Sequence, residues 1–395
     1  MATATETATV TAVEVRPVTT KRERRLFVDY PNTLYRDVPG FVPAFYGDDL
    51  ADWDEKKNPA FDYCEAKCWL AWRNGEIVGR IGAILSHKAN EKWNTNRMRF
   101  SQVDFIDDDA VSAALFAAVE AWAAEKGCAQ IHGPLGFCDM DREGMLVDGY
   151  DRRGTFFTYY NHPYYNDHME RLGYRKDTDW MEYLITVPSP DGELGVKLHR
   201  IADHVMRHKN LHVAKVKHQW QYPPLVQQVF ELVNEAYAPL YGVVELNDRQ
   251  IKKYKAKFAP LISPDLACFV MDENDRLVAF GVSAPSTSAA MQKCHGHLFP
   301  FGWIGVLKAL NKNDTLDMFL IAVKPELQGA GVNAIVLDHL IHGAAKKGIR
   351  FAETGPQLET NSKILTQWKL FEKDQHKRRR CYIKDIAPDT ENPSI

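Results

Sequence analysis

The stretch PELQGAGVNAIV, residues 325–336, carries two glycines at i and i+2. It follows the apolar run LDMFLIAV (316–323) and precedes a helix-like apolar pattern. A helix start leaves about four backbone N–H groups without intrahelical partners and carries about half a positive charge. Glycines let such backbone adopt positive φ and lie close to a ligand. The combination is an anion seat suited to a pyrophosphate. The residues of that seat are Gln328, Gly329, Ala330, Gly331, Val332 and Asn333. The alternative is a glycine turn between strand and helix that holds no ligand. A dinucleotide fingerprint, G-x-G-x-x-A over Gly329, Gly331 and Ala334 with Glu353 about 20 residues on, fits locally. It fails in context: Lys324 to Gln328 separate the glycines from the strand, and the remaining chain is too short for the rest of such a domain.

The elements that must position this loop occur twice. AAEKGCAQIHGP (123–134) and AAKKGIRFAETGP (344–356) share a helix end, a glycine stop, a short strand and Gly-Pro. Each half reads in one order: a short strand (Ala12 to Pro17; Leu211 to Val216), then helices (Lys21 to Tyr35; Pro224 to Tyr237 and Asp248 to Phe258). A hairpin follows, turning at Asn74-Gly75 or Asn274-Asp275. A central strand (Arg99 to Phe105; Leu316 to Val323), a long helix (Asp108 to Lys126; Val332 to Lys347), a strand, a short helix and a final hairpin complete the set. The expected organisation is a disordered N-terminus (1–10), a first domain (11–188), a linker helix (189–210), a second domain (211–388) and a tail (389–395). Pro and Gly cluster at the boundary, VPSPDGELG (187–195).

Bulk properties agree with two soluble lobes. The chain has 395 residues, beyond one ordinary core. It is 45% hydrophobic and 26% charged with a net charge of −3, so no global field draws it to nucleic acid or an anionic membrane. Seven scattered cysteines read as reduced thiols in a cytoplasmic chain. No apolar stretch approaches the roughly 20 residues of a membrane span. Cys294, His295 and His297 match no standard metal spacing, so no metal is expected.

The stretch AVKPELQGAGVNAIVLDHLI resembles the acyl-coenzyme A signature of the GNAT N-acyltransferase superfamily, Gln/Arg-x-x-Gly-x-Gly/Ala preceded by V-x-P-E. Asn333 departs from it, standing where many members have a second Gly or Ala. The element order of both halves is similar to that fold as well. The resemblance implies an α/β (α+β) chain of two tandem GNAT-like domains, each a mixed, mostly antiparallel sheet flanked by helices. It implies acetyl-CoA or another acyl-CoA as cosubstrate, its pantetheine on backbone groups of Ile321, Ala322 and Val323, with Asn361 a further contact or a helix cap. It implies direct attack by an amine, with Glu353 as first and Asp317 as second choice of base. The helix NSKILTQWKLF has Trp368 where many members have the tyrosine acid, so Tyr382 is the expected substitute.

The first half lacks the loop. Its long helix opens on Asp107, Asp108 and Asp109, which cap a helix well and repel phosphate. That half is expected to be structural, or to form a wall of the acceptor pocket. Phe299, Phe301, Trp303, Ile304 and Leu307 read either as a lid over an apolar pocket or as ordinary packing. The run HKRRRCYIK (376–384) reads as a solvated hairpin face. The expected function is acyl-CoA-dependent N-acylation of a small amine bound between the halves, with no membrane or nucleic-acid partner, as monomer or homodimer. The alternatives are a non-catalytic acyl-CoA-binding scaffold and a Fem-type aminoacyl-tRNA-dependent peptidyl transferase.

Overall fold

A computed structural model of the chain describes residues 12–386, so the segments 1–10 and 389–395 lie outside the described residues. The first half runs β1 (Glu14–Pro17), α1 (Lys21–Leu34), α2 (Tyr46–Asp52), β2 (Cys64–Arg73), β3 (Glu76–Ser86), α3 (His87–Trp93), β4 (Arg97–Phe105) and α4 (Asp109–Glu125). It continues through β5 (Gln130–Gly133), β6 (Met145–Asp148), α5 (Tyr164–Arg171) and β7 (Arg175–Thr186). Helix α6 (Glu193–Lys209) leads into β8 (His212–Val213), α7 (Pro223–Tyr237), α8 (Asp248–Phe258), β9 (Ala267–Met271), β10 (Leu277–Pro285), α9 (Ser288–Lys293) and α10 (Gly302–Asn311). Then come β11 (Thr315–Val323), α11 (Val332–Lys346), β12 (Phe351–Thr354), β13 (Gln357–Leu358), α12 (Ser362–Gln367) and β14 (Lys373–Asp385).

Local chemistry explains the boundaries. Thr20 and Glu23 form a capping box on α1, and Asn247 and Gln250 form another on α8. Asn74 and Gly75 both take positive φ (54° and 82°), which turns β2 tightly into β3. Apolar residues of α4 (Val111, Leu115, Phe116, Val119) pack on one face of the first-half sheet, and Phe27 and Val28 of α1 pack on the other. In the second half α11 and α7 take the same two positions. At Gly281 of β10 a Cβ would lie 2.4 Å from Val336 Cγ1, so the glycine admits α11 against the sheet.

All strands join one sheet in the order β1-β2-β3-β4-β5-β14-β7-β12-β11-β10-β9-β8, with β13 beside β7 and β6 beside β14. The order is symmetric about its middle: β4 runs parallel to β5, β11 parallel to β12, and the remaining pairs are antiparallel. The repeat read from the sequence is therefore present as topology. Its last element differs from expectation. Each half ends in one long strand rather than a hairpin, and the halves exchange it. β7 leaves the first half to pair with β12, while β14 returns from the second half to pair with β5, and the two pair with each other from Lys373↔Ile185 to Ile383↔Arg175.

This exchange overturns the reading of HKRRRCYIK as a solvated face. The run lies in the middle of the sheet, with His376, Lys377, Arg379 and Cys381 buried. Its charges are met there. Arg379 pairs with Glu182 of β7, Lys377 pairs with Glu353 of β12 and lies 3.3 Å from Glu182, and Arg380 lies 2.8 Å from Asp179. Lys377 also donates to Arg153 O at 3.1 Å. Asp317 of β11 stands beside Glu353 in register and is equally buried. Burial, then the Glu353 charge, push the Asp317 carboxyl up to about 8, against the pull of Ser286, Lys377 and the Thr287 amide. Burial also raises Glu353, against the pull of Lys377.

Removing one partner from such a cluster strands a buried charge, which costs about 3–5 kcal/mol. Lys377→Met is therefore expected to lower unfolding free energy by about that amount in denaturant titration, and Glu353→Gln in the same chain to recover part of it. Asp317 keeps its proton to about pH 8 when folded, whereas an unfolded aspartate titrates near 4. The native state thus binds the extra proton between those values, and stability falls as pH rises through the window. Asp317→Asn should flatten the fall in melting midpoint between pH 5 and 8 and give a midpoint above wild type at pH 8.5.

Candidate active site

β11 pairs with β12 only from Thr315 to Met318, whereas its pairing with β10 runs on to Val323. β12 stops at Thr354 because Gly355-Pro356 follows and proline has no N–H for the ladder. The chain then attaches Gln357 and Leu358 to β7 instead. A wedge opens between residues 319–323 and 355–358, with one backbone edge of β11 free on its inner side.

The glycine loop stands at the end of that edge. Gly329 and Gly331 take φ of 79° and 83°, and Gly331 is the cap residue of α11 without any side-chain cap. Among the described residues, the backbone amides of Gly329, Gly331, Val332 and Asn333 meet no acceptor. No side chain plugs the tip: a Cβ at Gly329 would meet nothing within 4 Å. At Gly331 it would meet Val205 Cγ2 at 3.1 Å, so α6 closes one flank. The Gln328 side chain donates to Val323 O (3.1 Å) and accepts from Lys363 Nζ (2.9 Å), which places an ammonium beside the free amides. This is what an anion seat requires.

A cavity of about 290 Å³ fills the wedge and extends between the halves. Its body is apolar: Val226, Val229 and Phe230 of α7, Phe258 of α8, Phe269, and Met318 to Ile321 of β11. Asn361, Ile364 and Trp368 line the side nearest the loop. The opposite wall comes from the first half and holds three carboxylates, Asp139, Asp141 and Glu143, from the segment CDMDREG. Asp141 is committed to structure. It accepts from the Phe137 amide at 2.9 Å and from Tyr254 Oη at 2.9 Å. Among the described residues no donor reaches Asp139 or Glu143. Burial pushes Asp139 up to about 6, against the nearby Arg99 and Lys92. Burial first, then Asp139, hold Glu143 well above the usual carboxylate range. Both carboxyls are thus raised by burial, and Asp139 is the one that ionises near neutrality. Tyr237 links this wall to β11. Its hydroxyl donates to Ile321 O at 2.9 Å, and burial together with Asp139 keeps the phenol protonated.

The structure brings together some of the residues singled out from sequence and separates others. Ile321 and Asn361 line the cavity in the wedge, and Gln328 to Asn333 stand past the end of β11, tied to it by Gln328 on Val323 O. Asn361 also caps α12, accepting from the Ile364 amide at 3.4 Å. Ala322 is buried in register with Phe280 of β10, and Val323 O is taken by Gln328. Glu353 and Asp317 do not line the cavity; they belong to the buried ion cluster, where Lys377 holds the Glu353 carboxylate. Tyr382 is carried by the exchanged strand into the first-half core, where its hydroxyl donates to Asn166 Oδ1 at 2.6 Å. Trp368 lines the cavity with its indole N–H on Gln357 Oε1 at 2.9 Å. Asp139, Glu143 and Tyr237 were missed. The local signal was three acids at alternate positions just after a Gly-Pro strand end, but nothing local places them against the other half.

The first half has no equivalent anion seat. Asp108 caps α4 through the Ala110 and Val111 amides and binds Arg73 at 2.7 Å. Asp107 meets His168 at 2.9 Å and Asp109 meets Arg171 at 2.8 Å. Arg99, in register with His132 beside the corresponding opening, donates to Gly136 O and to Gly242 O of the other half.

No family model matches the chain. It is 28% identical over 382 residues to Protein YghO of Escherichia coli (strain K12), covering 94% of this chain and 95% of that one. It is 25% identical over 300 residues to the bacterial ceramide synthase of Caulobacter vibrioides (strain NA1000 / CB15N), covering 75% and 76% of the two chains. Among solved structures it superposes on a tandem GNAT protein from the clavulanic acid biosynthesis pathway with a TM-score of 0.54 at 12% identity, covering 95% of this chain and 99% of that one. Whole-length superposition, the symmetric sheet and the wedge at β11 agree: this chain has the tandem GNAT fold.

Proposed function

We propose that the protein is an N-acyltransferase that moves an acyl group from an acyl-CoA thioester to an amphiphilic amine held in the cavity between the halves. The observation that carries this reading is the cavity itself: an apolar body with two carboxylates on its wall that meet no donor, bounded by the strand that leads to a helix tip with free amides. The pyrophosphate sits on Gly329, Gly331, Val332 and Asn333, beside Lys363. The pantetheine runs along the free edge of β11. Because Ile321 O and Val323 O already accept from Tyr237 and Gln328, the arm meets fewer free carbonyls than the family pattern implies.

An ammonium entering the cavity is drawn to Asp139, which takes its proton. Asp139 passes that proton to solvent. The free amine nitrogen attacks the thioester carbonyl and gives its surplus proton to Asp139 as the C–S bond breaks. The thiolate takes a proton from Tyr237, whose phenolate is reprotonated from Asp139 through water. This leaves an amide, free coenzyme A and both residues in their starting states. The apolar walls favour a hydrocarbon chain on the acceptor, the acyl group or both. Similarity to a protein named a ceramide synthase supports the same choice, since a ceramide is the N-acyl amide of a long-chain amino alcohol. Trp368 in place of the usual tyrosine favours a second reading, an acyl-CoA-binding protein without turnover.

Mass spectrometry of mixtures of long- and short-chain acyl-CoA with long- and short-chain amines separates the two readings. Amide formation with a long-chain amine is expected; coenzyme A binding with no amide from any pair would leave only the second. Asp139→Asn should lower kcat/KM about 10²- to 10⁴-fold and remove a rising limb near pH 6, because the base must be ionised to act. Gly329→Asp adds a carboxylate in open space at the loop. It should weaken coenzyme A binding by about ten-fold in calorimetry, and the positive φ at this position should lower the melting midpoint modestly without preventing folding.

A further inference from the structure

The segment between β10 and β11 shows an apolar surface with no partner in the fold. Phe299 is 81% exposed, Phe301 73%, Leu307 48%, Trp303 43% and Ile304 37%. The three on α10 fall at i, i+1 and i+4, one face of the helix. Val306, on the flank of that face, is buried in a cluster with Phe258 and Phe319, two residues that also line the cavity. One short helix thus packs inward on the apolar end of the cavity and presents aromatic and aliphatic side chains outward.

Within the segment itself the charged side chains have one sign; from outside it, Asp29 lies 3.4 Å from His297. Residues 288–312 contain Lys293, Lys308, Lys312 and two histidines but no aspartate or glutamate. The three lysines are exposed, and none forms an ion pair among the described residues. Exposed Trp, Phe, Ile and Leu beside unpaired lysines are the composition of an element that lies in a lipid interface, with its apolar face at the acyl boundary and its cations among headgroups. No helix among the described residues is long and apolar enough to cross a membrane, so the contact is with one surface only.

We infer that the 299–307 segment docks the protein on an anionic phospholipid bilayer, with Phe299, Phe301, Trp303, Ile304 and Leu307 inserted at the interface. This departs from the sequence-based expectation of no membrane partner, which rested on net charge and on the lack of a spanning segment. A near-neutral chain can still carry a local cationic, apolar face. The inference rests on the proposed reaction only for its purpose, since an amphiphilic acceptor would be met at that surface.

Flotation of the full chain with vesicles tests it without any acyl donor, so its outcome is independent of turnover. Wild type should float with vesicles of equal parts phosphatidylglycerol and phosphatidylcholine and float less with phosphatidylcholine alone. Phe299→Ser, Phe301→Ser and Trp303→Ser together should reduce binding about ten-fold or more. Lys308→Glu with Lys312→Glu should reduce binding to the anionic vesicles only. All five positions are at the surface, and unchanged circular dichroism and melting midpoint would show that the variants fold. Wild type left at the bottom of the gradient with anionic vesicles, or a triple variant that floats as well as wild type, would overturn the inference. A dimer in light scattering that the triple variant dissociates, without flotation, would overturn it too and make the face a contact between two copies.

Discussion

The antiparallel pairing of β7 with β14, closed by the buried contacts of Glu182 with Arg379 and Lys377, is the constraint on which the molecule depends. Each strand ends one half and belongs, by its pairing, to the other. A lobe without its partner would therefore lack a strand beside β5 or β12 and expose a long sheet edge. Charges held at such a seam cost desolvation and are tolerated only when every one is matched. Here Lys377 stands between two glutamates, and the extra carboxylate, Asp317, is kept neutral by its surroundings instead of by another cation.

The cavity follows from that seam. Because β14 and β7 fix the second-half wedge against first-half loops, a segment after β5 becomes a wall for a slot beside β11. The first half keeps the element order but not the glycine loop: Asp108 caps the start of α4 between two further aspartates, and Arg99 bridges the place where a second wedge would open. Two copies of one architecture thus divide the work. One offers free amides and a free strand edge; the other offers carboxylates set in an apolar wall, where water cannot hold their pKa down.

Much of the fold was legible. Helix and strand positions, the Asn-Gly turn, the linker helix and the repeat all rest on interactions within a few residues of sequence. Periodicity, capping and turn chemistry specify these locally. The glycine loop was legible for the same reason, since free amides at a helix start are a property of that start alone. The roles given to Glu353, Asp317 and Tyr382 rested on element order, and element order is silent about which half a terminal strand joins.

The sequence by itself thus determined the elements, their doubling and the glycine loop that opens α11. The tertiary structure alone decided that the basic run lies inside, that Glu353 is spent on a buried lysine with Asp317 buried beside it, and that acids from the first half face the cavity. Burial and pairing across about 200 residues of chain depend on which strands meet. A strand of alternating charges reads identically in solvent and at a seam until its neighbours are known.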